Sequence, residues 1–334
     1  MPTDNLPDDH AEVAELPQTM RILVSWTPSY SGTEAIDFAA WLARTMPVKV
    51  RVLSTLLQPW AATPLFKLGK KYKKYFRKEA EACRAEVEKA LAAAGLDESC
   101  WDDEVSWLSN GSSKPQLITE AANDFAADMI LLGPNQAAPK GRFMAGSTAD
   151  TLLHYSPVPV GLAPKQVKLS KHGVTRVNFA FTEEDGQKDD PALGRAAEMA
   201  DKWGVPLRIL AFSPSGIIHA PFDNHRDVAD ELTNQWREQS LALLDVARDW
   251  VIERYPELDV RTDIGIGSGW RGAVDALKWK KGDFMVMGSN PMGPIARVFI
   301  GSTATELLPH MRVPVLVYPC LLYTSPSPRD SCAS

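Results

Sequence analysis

Thirteen residues after Gly133 the chain reads Gly146-Ser147-Thr148, and thirteen after Gly288 it reads Gly301-Ser302-Thr303. Glycine lets a backbone approach an anion closely, and Ser and Thr hydroxyls add donors. Where such a triplet opens a helix, unpaired N–H groups and the helix dipole favour a phosphate. The triplet also makes a good N-cap, so its specificity comes from occurring twice, each time after an apolar, strand-length run that ends in glycine. Other chemistry has less support. His154 and His310 stand in no Ser-His-Asp order, and His219 and His225 flank Asp223 too loosely for a metal site. No catalytic residue and no metal are expected. The cysteines Cys83, Cys100, Cys320 and Cys332 form no C-x-x-C and read as incidental or structural thiols. The basic run from Lys67 to Lys78 would suit an acidic partner, but Tyr72 and Phe76 follow a helical stripe, so it reads as a solvated helix face. Trp26 reads as a buried packing residue.

The elements that must position these residues repeat with an offset of 155. Residues 129–133 (MILLG) match 284–288 (FMVMG), and each run follows an aspartate, Asp128 or Asp283. Leu152-Leu153 matches Leu307-Leu308, Val158–Val160 matches Val313–Val315, and Arg21–Thr27 matches Arg176–Thr182. One offset held across all these features marks an internal duplication. In each half a buried strand leads to an amphipathic helix, with Ala35, Phe38, Ala39 and Leu42 on one apolar face and Leu193, Ala196, Ala197 and Ala200 on the other. Second strands follow at 48–56 and 207–212. The long helices after them carry stripes of Tyr72, Phe76, Ala80, Cys83, Val87 and Leu91, and of Val228, Leu232, Trp236, Leu243, Ala247 and Val251. Third strands lie at 104–108 and 260–266. Strand and helix alternate five times per half, which implies parallel sheets covered on both faces. The expected fold is α/β: two tandem, doubly wound, Rossmann-like five-stranded parallel-sheet domains. Ligands in such sheets bind beyond the carboxyl ends of the strands, where the strand order reverses.

The organisation expected is a disordered acidic leader (1–19), a first domain (20–164), a polar linker (165–174), a second domain (175–319) and a disordered Ser/Pro-rich tail (320–334). The tail resembles translated adaptor or vector sequence and reads as non-native. A net charge of −6 over 334 residues gives no global basic field for nucleic acid or an anionic membrane. No uncharged stretch reaches the ~20 residues of a membrane helix, and the N-terminus has no signal layout, so a cytoplasmic protein is expected.

Each half resembles a universal stress protein domain, and the whole resembles the tandem form of that family. The signature is G-x-x-G, nine residues, then G-S or G-T. Gly133, Gly146 and Ser147 fit it, as do Gly288, Gly301 and Ser302; Gln136 and Pro291 replace the second glycine. Nucleotide-binding members carry an aspartate at the end of strand one, where Thr27 and Thr182 stand here. The resemblance implies an ATP or AMP pocket, with Mg2+, between strands one and four. In the first half it assigns Thr27, Leu56, Leu132, Gly133, Arg142, Gly146, Ser147 and Thr148 to nucleotide binding. In the second it assigns Thr182, Phe212, Met287, Gly288, Arg297, Gly301, Ser302 and Thr303. Arg142 and Arg297 would supply phosphate charge, with Lys140 in the first half only. The implied role is a non-enzymatic, nucleotide-responsive regulator. The alternatives are a degenerate interaction protein of the same fold that holds no nucleotide, and an adenine-nucleotide α-hydrolase, of which Ser29–Gly32 is a faint echo. Single-domain relatives pair through strand five, so an intramolecular pseudo-dimer is expected, with Val158–Leu162 near Val313–Val317; a homodimer of the whole chain is also compatible with the family.

Overall fold

A computed structural model of the chain describes residues 16–57, 69–181, 191–215, 226–288, 290–291, 298–299 and 302–318. The first half contains β1 (Met20–Ser25), α1 (Glu34–Ala43), β2 (Val48–Leu57), α2 (Gly69–Ala93), β3 (Trp101–Gly111), α3 (Lys114–Phe125), β4 (Met129–Leu132), α4 (Ser147–Tyr155) and β5 (Val160–Leu162). The second contains β6 (Arg176–Ala180), α5 (Pro191–Lys202), β7 (Leu207–Ser215), α6 (Arg226–Arg254), β8 (Val260–Ser268), α7 (Gly269–Ala276) and β9 (Asp283–Gly288). It continues with a short antiparallel pair, β10 (Asn290–Pro291) and β11 (Val298–Phe299), then α8 (Ser302–Leu307) and β12 (Val315–Tyr318).

The ten long strands form one sheet in the order β3-β2-β1-β4-β5-β12-β9-β6-β7-β8. Central strands are apolar on both faces because helices cover both faces: β4 (MILL) is buried at every residue, and β9 is buried from Asp283 to Met287. The edge strands β3 and β8 bear clustered charges, Asp102, Asp103 and Glu104 on one and Arg261 and Asp263 on the other. Charged edge strands discourage pairing with another chain.

Within the ten-stranded sheet every pairing inside a half is parallel, and the antiparallel pairing of β5 with β12 joins the two halves. Their register sets Gly161 opposite Leu316, Val160 opposite Val317 and Leu162 opposite Val315. At the repeat offset Gly161 and Leu316 are equivalent positions, so a local two-fold axis runs through that pair. A Cβ on Gly161 would meet Leu131 Cδ2 at 2.3 Å and Phe38 Cε1 at 3.1 Å. Leu316, on the same face, is fully buried in the core that contains Leu131 and Phe38. The duplicated position has become small on one strand and large on the other.

That core is shared between the halves. The Phe38 and Trp41 rings of α1 lie 6.0 and 6.1 Å from Phe284 of β9, and Trp203 lies 5.8 Å from it. This explains a departure from the expected single apolar stripe. In α1 not only Ala35, Phe38, Ala39 and Leu42 but also Ile36, Ala40 and Trp41 are buried, because the helix faces the sheet and the other half at once.

Other expectations shift as well. The α2 stripe is buried only at Val87 and Leu91; Tyr72, Phe76, Ala80 and Cys83 are half-buried. In α6 the buried residues are Ser240, Leu244, Ala247 and Val251, so Leu244 replaces Leu243, which is half-buried. The 4-3-4 spacing holds those residues on one face. Val228 and Leu232 side chains lie outside the described residues. Trp26 is buried, its indole N–H donating to the Gly32 carbonyl at 3.0 Å.

The leader expected to be disordered through residue 19 is seated from Leu16 onward. Leu16 N–H donates to Glu198 Oε1 at 2.6 Å, and its carbonyl accepts from Lys202 Nζ at 3.1 Å. Residues 1–15 and the tail from 319 lie outside the described residues. The linker is pinned to both halves: Ser170 N–H reaches the Lys281 carbonyl at 2.9 Å, and Val174 N–H reaches Thr45 Oγ1 at 2.8 Å. Among the described residues no helix is long and apolar enough to cross a membrane, and no cluster of His, Cys, Asp and Glu could hold a metal ion.

Candidate functional site

In the first half the strand order reverses between β1 and β4, and the loops after these two strands face each other across the resulting crevice. The β1 loop is a self-satisfied turn. Thr27 N–H donates to Ser31 Oγ at 3.1 Å, and the Thr27 carbonyl accepts from the Tyr30 and Ser31 N–H groups. Ser29 takes a left-handed φ of 66°, which a non-glycine residue rarely adopts. The turn leaves Tyr30 81% exposed on its tip. Thr27 Oγ1 lies 3.5 Å from the Thr55 N–H on β2, a weak contact that leaves the hydroxyl available.

The β4 loop supplies the opposite wall. Gly133 packs beside the start of α1, and Gly146 is the N-cap of α4 with no side-chain cap. Asp150 is the first residue of α4 whose N–H finds a helical carbonyl, that of Gly146 at 3.0 Å. The N–H groups of Ser147, Thr148 and Ala149 have no acceptor among the described residues, as expected at an open helix start. Neither Gly133 nor Gly146 has a positive φ. Among the described residues, a Cβ at Gly133 would meet nothing nearer than Ala35 Cβ at 3.9 Å, and one at Gly146 nothing nearer than Asn135 Nδ2 at 3.4 Å. Neither backbone conformation nor packing therefore demands glycine there. In the same loop Gly141, with φ 74°, is demanded by its conformation.

Sequence reasoning named Gln136 only as a lost glycine, without its contact across the crevice, and missed Lys165. Gln136, standing where the signature has its second glycine, donates from Nε2 to the Tyr30 carbonyl at 3.1 Å and so bolts the two loops together across the crevice. Lys165, placed in the linker by the sequence, brings its ammonium onto the Gln136 carbonyl. Neither contact has a local signature, because each partner lies far along the chain.

The structure does not gather all the expected residues. Leu132, Phe212 and Met287 are buried in the core on one sheet face. Leu56 and Thr148 are half-buried, and Ser147 is exposed. Arg142 was expected to face the phosphates and instead crosses to the second half. Its Nη2 donates to both Asp275 carboxylate oxygens at 3.0 and 3.2 Å, and its Nη1 donates to the His310 carbonyl. In the second half Gly288 ends β9, and the following loop begins and ends as the β10–β11 pair, with β11 against α4 of the first half. Ser302 and Thr303 open α8. Thr182, Arg297 and Gly301, together with the Ser302 and Thr303 side chains, lie outside the described residues.

At the opposite strand ends the repeated aspartates are wired differently. Asp283 is fully buried and takes a bidentate pair from Arg176, Nε to Oδ1 at 2.8 Å and Nη2 to Oδ2 at 2.6 Å. It also accepts the Lys280 N–H at 2.7 Å. Among the described residues, the Asp128 carboxylate accepts only the backbone N–H of Arg21, at 2.6 Å, while Arg21 Nε turns to the Phe125 carbonyl. Burial pushes the Asp128 carboxyl above its ordinary range, although the Arg21 N–H and charge oppose it.

Comparison with known proteins bears on the family and the fold. The model of the Universal stress protein family matches residues 19–164 and again 176–319. Universal stress proteins of Mycobacterium tuberculosis and of Mycobacterium bovis are each 28% identical over 302 residues, covering 90% of this chain and all of the relative. The crystal structure of a universal stress protein from Archaeoglobus fulgidus shares the fold, with a TM-score of 0.60 and 19% identity over 90% of this chain and 98% of that one.

Proposed function

Because the chain belongs to the universal stress protein family, we propose that it is a non-enzymatic regulator that senses adenine nucleotide in the first-half crevice. One observation carries this reading: Gly133 and Gly146 are glycines that the chain's own conformation and packing do not require. A ligand that must approach those backbones closely does require them. The open N–H groups at the start of α4 supply donors for a phosphate, and Ser147, Thr148 and Thr27 supply hydroxyls. Tyr30, exposed at the crevice mouth, offers a face for the base. Mg2+, where it enters, is carried by the nucleotide's own phosphates. The antiparallel β5–β12 seam acts as an intramolecular pseudo-dimer, through which the state of one crevice biases the other half.

Titration calorimetry with ATP and AMP in Mg2+ tests this. Saturable heat is expected, and Gly146→Asp should abolish the first-half signal by placing a carboxylate against the phosphate. Silence at millimolar nucleotide overturns the reading, and a signal that survives Gly146→Asp puts the site elsewhere. A second reading, an interaction protein of this fold that holds no nucleotide, is favoured by the Gln136 bolt and by the diversion of Arg142 to Asp275.

A further inference from the structure

On the β5 side of the first half's glycine loop, away from the β1–β4 crevice, a cleft of about 500 Å3 lies between the two halves. Each element that reaches it brings a cation. Lys140 and Arg142 come from the loop between β4 and α4, and Lys168 comes from the segment joining the halves. Arg271 comes from α7, Lys280 and Lys281 from the approach to β9, and Arg312 from the approach to β12.

A single carboxylate answers the arginines: Asp275 lies 3.0 Å from Arg142, 2.9 Å from Arg312 and 3.7 Å from Arg271. Lys140, Lys168, Lys280 and Lys281 make no ion pair among the described residues. The chain as a whole carries −6, so this local excess is opposite in sign to the molecule around it. The His310 imidazole at the same place is held below its ordinary range by burial and by the neighbouring Arg142 charge. Like charges gathered in a partly enclosed cleft focus a positive potential that draws an anion.

The walls are otherwise firm and apolar. Val167, Val313 and Pro314 contribute to them. Trp279 is held by its indole N–H on the Val274 carbonyl at 2.8 Å and by Arg208 lying 5.1 Å over its ring. The volume suits a small molecule, and the spread of cations over several elements suits a ligand with charge at more than one point.

We propose that this cleft binds a compact polyphosphate group, either free or as the phosphate chain of a small organic ester. The assignment rests on charge and shape at the seam between the halves and is independent of the crevice reading. The test titrates inorganic tripolyphosphate into full-length Gly146→Asp, in which the crevice is blocked, and into the same protein carrying Lys168→Ala/Lys280→Ala/Lys281→Ala. These lysines are exposed and make no ion pair among the described residues, so circular dichroism should show the variant folded.

The added triple substitution should weaken binding at least ~10-fold, and binding to Gly146→Asp should weaken ~10-fold or more between 50 and 500 mM NaCl. Titrating ADP into Gly146→Asp separates the sources. Tighter tripolyphosphate points to the free anion, and tighter ADP to an ester-borne chain. The absence of tripolyphosphate binding by Gly146→Asp, or binding there that survives the triple substitution, overturns the proposal. So does binding seen with a long RNA but not with tripolyphosphate.

Discussion

Replacing Asp283 by Asn keeps the shape of the side chain and removes its charge. The Arg176 guanidinium would then meet an amide that can accept at one atom only, and Arg208, whose Nη2 lies 3.9 Å from Asp283, would keep only the Asp263 carboxylate 3.7 Å from its Nη1 as a charged neighbour among the described residues. Asp283 is fully buried and Arg176 nearly so, with 14% of its side chain exposed. Breaking one side of such a pair costs about 3 to 5 kcal/mol. The lower end applies, because Arg176 Nη2 retains the Lys278 carbonyl at 3.1 Å.

The equivalent change, Asp128→Asn, should cost about 1 kcal/mol or less, since the amide oxygen can still accept the Arg21 N–H. With an m-value of about 4 kcal/mol/M in guanidinium chloride, the unfolding midpoint should fall by roughly 0.7 M for Asp283→Asn, against roughly 0.2 M for Asp128→Asn. The assay is equilibrium unfolding followed by tryptophan fluorescence. Equal shifts for the two variants would refute the reasoning, because they would mean that the repeat, rather than the local wiring, sets the energetics.

The Gln136→Gly change removes the bolt between the two crevice loops and restores an open backbone. An exposed hydrogen bond contributes about 0.5 to 1.5 kcal/mol, so nucleotide affinity by calorimetry should rise roughly 2- to 10-fold; an unchanged or weaker affinity would show that Gln136 does not obstruct the crevice. Burial pushes the Asp275 carboxyl up, but the Arg142 hydrogen bond and the charges of Arg142, Arg312 and Arg271 outweigh it and hold the group below its ordinary pKa of 3.8. A depressed carboxylate contributes stability that is full above the unfolded value and lost as pH falls through the folded one. The parent should therefore lose thermal stability more steeply than Asp275→Asn as the pH drops below about 4, and parallel melting curves for the two would refute the assignment.

Much of the architecture was legible in the chain itself. Apolar runs such as 129–132 and 284–287 are local signals, because a strand covered on both faces must be apolar at consecutive residues. The 155-residue offset then set the two halves side by side, and the position of the Gly-Ser-Thr turns after strand four located the crevice. Side-chain direction was not legible. Arg142 reads as a phosphate ligand from its place in the loop, yet its guanidinium donates to Asp275, 133 residues away.

Nor could a pattern of types reveal that Gln136 meets Tyr30, or that Asp128 and Asp283, identical in the repeat, hold a backbone N–H in one half and a guanidinium in the other. Local periodicity encodes which face of an element is buried, but not which distant group fills the space beside it. The seam makes the same point. Sequence identifies Gly161 and Leu316 as copies of one position, and the tertiary structure sets them against each other across the two-fold axis. There the space occupied by Leu131 and Phe38 leaves no room for a Cβ on Gly161, while the strand opposite carries the leucine.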